Sequence, residues 1–269
     1  MIVEGITEES LFTHIIDKAG IHIISVNGCD QVLNLYKRVK DLKNFLHSVN
    51  IIFMIDNDTK NKEKFNKIRE QDPSFYDSHF IVLEKHEIEN YFIDRKLLSD
   101  MSKKYELDHE GNFIDNVELN DLINDAENHT KSIVQKKELN EKLHDCIIDY
   151  AGKVLQEDIA INDLKSFLDY IKPIFDEISS QYESEVTTIY NSMAEKYTHW
   201  DEIKDSVCDG KQAYNEIKFK LAKKLGITEK RFEMTITSLL FTDLHSKSTP
   251  KYELTVILRD VLNKLDVKI

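Results

Sequence analysis

Over the first 95 residues, short apolar runs alternate with amphipathic stretches. "MIV" precedes "TEESLFTHIIDKAG", "IHIISV" precedes "CDQVLNLYKRVKDLKNFLHSV", "NIIFMI" precedes an Asp- and Lys-rich segment, and "HFIVLE" precedes "EIENYF". The runs are rich in Ile, Val and Phe and lack alternation, the pattern of strands covered on both faces. This rhythm predicts a βαβαβαβ series, a small Rossmann-like parallel sheet flanked by helices through right-handed crossovers. Beyond Arg95 the strand signal stops. Residues 119–156 and 161–197 carry apolar positions at spacings of three and four, which predicts long amphipathic helices. Leu164, Phe167, Leu168, Ile171, Ile174, Phe175 and Ile178 mark one such face, which Pro173 is expected to kink or divide. Three further helices are predicted at roughly 211–225, 228–241 and 250–265, with "SKSTP" as the last break. The predicted class is therefore α/β, with an N-terminal sheet domain over 1–95 and an all-helical region over 96–269. The border is expected between residues 95 and 118, around the polar "YELDHEGNFIDN".

Composition narrows the picture. With 41% hydrophobic and 32% charged residues but 7 Gly and 3 Pro, the chain reads as globular and helix-rich. A net charge of −13 argues against a broad basic surface, so a nucleic-acid partner would need metal ions or a local lysine patch to attract it. Cys29, Cys146 and Cys208 are far apart and form no CxxC pair, which suggests neither a disulfide framework nor a zinc knuckle. No apolar run is long enough to span a bilayer, and "MIVEGITEES" lacks the charged start of a leader. The expectation is a soluble cytoplasmic protein without a membrane partner.

The candidate chemistry lies at the strand ends. "FMIDNDTKN" runs a buried strand into Asp56 and Asp58, two carboxylates that an extended backbone points to one side. Open α/β sheets hold their ligands outside the carboxyl ends of the strands, and a hard divalent cation would relieve the repulsion of such a pair. The first strand ends alike. Glu4 follows it, Gly5 permits a sharp turn or a close backbone approach, Thr7 is positioned to cap the next helix, and Glu8 lies four residues on from Glu4. If strands one and three are neighbours, Glu4, Glu8, Asp56 and Asp58 share one cleft. After strand four, "EKHEIENYFID" offers Glu87 and Glu89; a helix would let only one of them face the cleft, and Glu89 is preferred. Each acid alone has a plainer reading, as a turn residue or solvated acid. Their recurrence after three strands favours a site. Other motifs fail: Lys60 stands where a haloacid-dehalogenase loop needs Thr or Val, Asn61 where an EF-hand needs Gly, and "HEIEN" lacks the second His of HExxH. There is no P-loop.

"VEGITEE", "IDND" and "HEIENYF" resemble Toprim domains, the topoisomerase-primase fold. The similarity covers about the first third of the chain, and its pairing of VEG with a hydrophobic-strand DxD is fairly specific. It looks closest to OLD-type nucleases and to the stand-alone Toprim effector nucleases of PARIS-type anti-phage systems. Met1 stands only three residues before Glu4, so the first strand is expected to be unusually short. The resemblance implies metal-dependent cleavage of phosphodiester bonds. Glu4, Glu8, Asp56, Asp58 and Glu89 would hold one or two Mg2+ or Mn2+ ions, with Glu4, Asp56 and Asp58 as catalytic acids and Glu4 a candidate general base. Branch members sometimes carry a lysine in the helical part, often as "GK"; "CDGKQAYNEIKFKL" supplies Lys211, although a lone GK is more often a helix start. Lys60, Lys62, Lys64 and Lys67 are candidates to guide a phosphate backbone, against the plainer reading of a solvated face. The implied setting is an effector controlled by a separate ATPase, homodimeric, with RNA such as tRNA the favoured target. DNA cleavage, a catalytically silent interaction module for an ATPase and, more weakly, primase-like nucleotidyl transfer are the alternatives.

Overall fold

The computed structural model describes residues 1–16, 20–42, 50–57, 61–106, 114–154, 172 and 183–267. The predicted apolar face from Leu164 to Ile178, with Pro173, lies outside them, as do Asp58 and Lys60. The chain forms two compact units, Met1–Thr130 with Asp205–Ile269, and Lys131–Lys204. The helices from residue 205 onward share the interior of the unit that holds the sheet.

In the first unit, β1 (Ile2–Val3), β2 (Ile24–Ser25), β3 (Phe53–Ile55) and β4 (Phe80–Val82) form a parallel sheet in the order β2-β1-β3-β4. The strands are short, β1 and β2 having two residues each. Between them run α1 (Ile6–Ile16), α2 (Cys29–Asp41), α3 (Lys62–Gln71) and α4 (Pro73–His79). The predicted βαβ rhythm is thus present in an α/β fold with a four-stranded parallel sheet.

One face of the sheet carries an aromatic core. Tyr36 of α2 sits edge-on to Phe53 (5.5 Å) and Phe80 (5.2 Å) and tilted against Phe75 (5.5 Å). Ile2, Ile55, Phe65 and Ile68 complete this layer beneath α2, α3 and α4. Val3 and Met54, next in register, are also buried, and the period of two along a strand turns them to the opposite face. There α1 buries Phe12, Ile15 and Ile16 and packs against α10 (Glu229–Leu244), where the His245 ring meets Ile15 O at 3.3 Å. The chain reverses direction across the sheet after β2, so right-handed crossovers put α1 and α2 on opposite sides.

After a 3-10 turn (Ile88–Tyr91), all described elements are helical: α5 (Arg95–Glu106), α6 (Asn116–Val154), α7 (residues 183–198), α8 (Trp200–Val207), α9 (Gly210–Lys224), α10 and α11 (Glu253–Lys264). Three of them match the predicted helices near 211–225, 228–241 and 250–265. Asp209 and Thr228 cap α9 and α10 by accepting from Gln212 N (2.9 Å) and Arg231 N (3.2 Å). Asp243, buried, accepts from Lys251 N (2.8 Å), Tyr252 N (3.3 Å) and the Thr255 hydroxyl, which fixes the start of α11 on α10. In the second unit Glu138 accepts from Lys196 Nζ (2.7 Å) and the Tyr197 hydroxyl (2.9 Å), and Tyr197 stacks on Trp200. Among the described residues no helix is long and apolar enough to cross a membrane.

Candidate functional site

The sheet order β2-β1-β3-β4 makes a switch point between β1 and β3, because the chain leaves β1 toward β2 on one side while β3 lies on the other. In open α/β sheets the crevice at the carboxyl ends of such strands is where ligands bind. Glu4 follows β1 and Asp56 follows β3, so the neighbouring strands place these two acids at that crevice. The backbone of Glu4 is held by Gly28 N, which donates to Glu4 O at 3.0 Å. Gly28 has φ 113°, a conformation that favours glycine, at the entry to α2.

Glu8 comes from the first turn of α1 and is buried. Gly5 makes room for it: a Cβ at Gly5 would stand 2.5 Å from Glu8 Oε2. A larger residue here would displace the Glu8 carboxylate, the far end of a flexible side chain, and would not strain the backbone, since the φ of Gly5 is not among the positive ones. Thr7 lies inside α1, which starts at Ile6, and does not cap it. Glu9, adjacent in sequence, serves another purpose. It accepts from Ser25 N at 3.0 Å and from the Ser25 hydroxyl, tying α1 to β2.

The segment after β4 is not an α-helix. Glu87 is the extended N-cap residue (φ −135°, ψ 158°) of a 3-10 turn that contains Glu89. The rule that i and i+2 fall on different faces of a helix does not apply across that junction, and both carboxylates act on Asp56. Hydrogen bonds fix the segment. Tyr91 Oη accepts from Glu84 N (3.0 Å) and Lys85 N (3.1 Å), Asn57 Nδ2 donates to Glu84 O (2.8 Å), and the His86 ring meets Asn57 O at 3.4 Å. Asn57, the middle residue of "DND", is therefore what joins the loop after β3 to the loop after β4.

Lys211 reaches this place from far along the chain. The start of α9 lies directly on the 3-10 turn: Lys211 N donates to Glu87 Oε2 at 3.0 Å, and Asn90 Nδ2 donates to Cys208 O at 3.4 Å. A Cβ at Gly210 would stand 1.9 Å from Asn90 Oδ1 and 2.8 Å from Asn90 N, so no larger residue fits there. The "GK" is thus a helix start and also a contact with the acid-bearing turn. Cys208 is buried against the Thr130 hydroxyl (3.2 Å), and burial pushes its thiol up to about 11, which leaves it poorly suited to act as a nucleophile.

The electrostatics show which of the acids act on one another. Asp56 is lifted from 3.8 to about 8, by burial first and then by the charges of Glu8, Glu4, Glu89 and Glu87. Glu8 is raised chiefly by burial, with Glu87 adding to the rise and backbone hydrogen bonds and Lys211 opposing it. Glu89 is raised by burial, Glu87 and Glu8, again opposed by Lys211. Glu4, Glu8, Asp56, Glu87 and Glu89 form one mutually repelling set with Lys211 as its nearby cation. Among the described residues no three His, Cys, Asp or Glu side chains stand close enough to form a ready-made metal cage. Asp58, the second acid of the DxD, lies outside those residues. Of the lysines near the DxD, Lys62, Lys64 and Lys67 are exposed on or at the start of α3, and Lys64 pairs with Asp30 at 2.8 Å.

Fold and site together define an α/β protein whose parallel sheet carries one buried acid, Glu8, and several half-buried ones about its switch point. No family model matches the chain, and neither a curated protein nor a solved structure is similar enough to count as a match.

Proposed function

We propose that this chain is a divalent-metal-dependent phosphodiesterase of the Toprim class, cutting nucleic acid at the acid cluster. The observation that carries the reading is Asp56, which sits at the switch point among four other acids with its carboxyl lifted to about 8. Such crowding disfavours ionisation unless a cation neutralises it, and hard oxygen donors of this kind suit Mg2+ or Mn2+. Glu4, Glu8, Asp56 and Glu89, with Asp58, would hold the ion. Bound there, it would supply Lewis-acid stabilisation of the charge that develops on a phosphate during displacement.

The remaining roles belong to the chain. Asp56, held at the end of the short β3 strand, would bind such an ion as the carboxylate. Glu4, fixed by its backbone bond to Gly28, is the candidate base for the attacking water. Glu87 spends one carboxylate oxygen on the α9 amide and so sets Lys211 beside the acids, where its ammonium offsets charge on the scissile phosphate. The resemblance noted in the sequence extends the proposal to RNA, tRNA included, as the favoured substrate, and to an effector in anti-phage defence governed by an ATPase partner, acting as a homodimer.

The test is cleavage of labelled tRNA, plasmid and single-stranded DNA with Mg2+ or Mn2+, comparing the chain with Asp56→Asn. Metal-dependent cutting that the variant loses supports the proposal and names the substrate class. Cutting that survives the substitution rejects the assigned site. If no substrate is cut with either metal or after addition of the ATPase, the chain is a silent interaction module.

A further inference from the structure

Next to the acids lies an open cleft of about 1110 Å3, lined by α1, α9 and α10, with Glu89 and Lys211 in its wall. It is continuous with the candidate site through those two residues. Its volume is above the roughly 300–1,000 Å3 that suits a single small ligand. The lining combines two kinds of surface. Ile6, Met234 and Phe241, which line it, keep 68%, 63% and 37% of their surface exposed, so apolar side chains are available there. Lys211 and Lys230 stand in the same wall, and neither is held in an ion pair among the described residues. Asn215, exposed there, has a side-chain amide that makes no hydrogen bond among the described residues.

We infer that this cavity receives an unpaired nucleotide of the substrate, next to the phosphate presented to the acids. The inference rests on the phosphodiesterase reading and deepens it by naming the substrate class. A nucleotide is apolar on the faces of its base and anionic at its phosphate, which is the division found in this wall. A base placed on Met234 and Phe241 exposes its edge to the Asn215 amide, which both donates and accepts, while Lys211 and Lys230 face the backbone phosphates. A paired base inside a duplex cannot offer its face in this way, so the cavity selects single strands, loops or ends. The cations matter because a chain of net charge −13 has little else to attract a polyanion.

The test is fluorescence anisotropy on the whole chain carrying Asp56→Asn, so that the probe stays intact. The probes are a short fluorescein-labelled single strand, in RNA and DNA versions, and its blunt duplex. The single strand is expected to bind about tenfold more tightly than the duplex. Phe241→Ala is expected to weaken it by about tenfold, the size of one lost stacking contact, and Met234→Glu by about as much, because it sets a carboxylate against the polyanion. Lys230→Gln should lower the slope of log affinity against log salt by about one. Phe219→Ala, which removes an exposed side chain of α9 outside the cavity, should leave binding unchanged. Each variant is compared with its parent by thermal melting, and Met234, being mostly exposed, provides a cavity variant that does not disturb the core. Equal affinity for the duplex, indifference to the cavity substitutions, or no binding of either strand overturns the inference. The two proposals fail separately. Binding with this pattern but no cleavage by the unsubstituted chain, with either metal and with the ATPase added, would reject catalysis alone, whereas cleavage indifferent to Phe241 and Met234 would reject the cavity alone.

Discussion

At the scale of single residues, the site depends on small differences between neighbours. Glu8 and Glu9 are adjacent and chemically equivalent, yet Glu8 is buried among acids while Glu9 bonds Ser25. Gly5 is what lets Glu8 fold back. Gly5→Ala would force the Glu8 carboxylate away and is expected to lower metal-dependent cleavage roughly 10- to 100-fold, the cost of an ångström-scale misplacement, with the melting temperature little changed. A collapse of the melting temperature would instead mean that Gly5 serves the fold. Asp56 supplies a pH signature. Its carboxyl ordinarily titrates at 3.8 and is raised to about 8 in the folded chain. Between those values the folded chain keeps a proton that the unfolded chain has released, so its stabilising contribution is full below about 4 and is lost as pH rises to about 8. In chelator, the melting temperature should therefore fall as pH rises through this window, and Asp56→Asn should flatten the decline. Parallel profiles for the two proteins would refute the assignment.

At the scale of elements, the critical joint is the start of α9 on the 3-10 turn Ile88–Tyr91. Gly210 supplies the space and Lys211 the charge, so substitutions at adjacent positions should separate structure from function. Gly210→Ala drives a methyl into the Asn90 side chain and backbone, and is expected to destabilise the fold by about 1–3 kcal/mol while also reducing cleavage. Lys211→Ala removes only an exposed side chain, and should leave the denaturation midpoint within about 0.5 kcal/mol of the parent while lowering the cleavage rate. Equal loss of stability in both, read from urea unfolding, would show that Lys211 also holds the joint together.

For the whole molecule, the unit that carries the site is discontinuous in sequence, Met1–Thr130 joined with Asp205–Ile269. The acids come from its beginning and Lys211 from its later segment. A cation bound among acids that repel one another in the folded chain, and that are scattered in the unfolded one, must stabilise folding. Mg2+ or Mn2+ at a hundredfold excess over its dissociation constant is expected to add about 2.7 kcal/mol to unfolding. The gain should vanish in Asp56→Asn and in Glu8→Gln. A cation-induced rise in melting temperature that persists in both variants would place the ion elsewhere.

The strand rhythm, the α/β class, the helices of the C-terminal third and the acids at the ends of β1 and β3 were legible in the sequence, because periodicity and strand-end position are local properties. Tertiary structure decided the rest. The pairing of β1 with β3 is a contact between distant segments, and it is what turns Glu4 and Asp56 from two ordinary strand-end acids into neighbours at a switch point. The 3-10 geometry that keeps Glu87 near the acids, the Asn57 bridge and the space that Gly210 leaves for Asn90 all depend on atoms brought together across long stretches of chain. A pattern of apolar and polar positions states which face of an element is covered. Which element covers it, and which carboxylates then act on one another, is fixed only when the chain closes on itself.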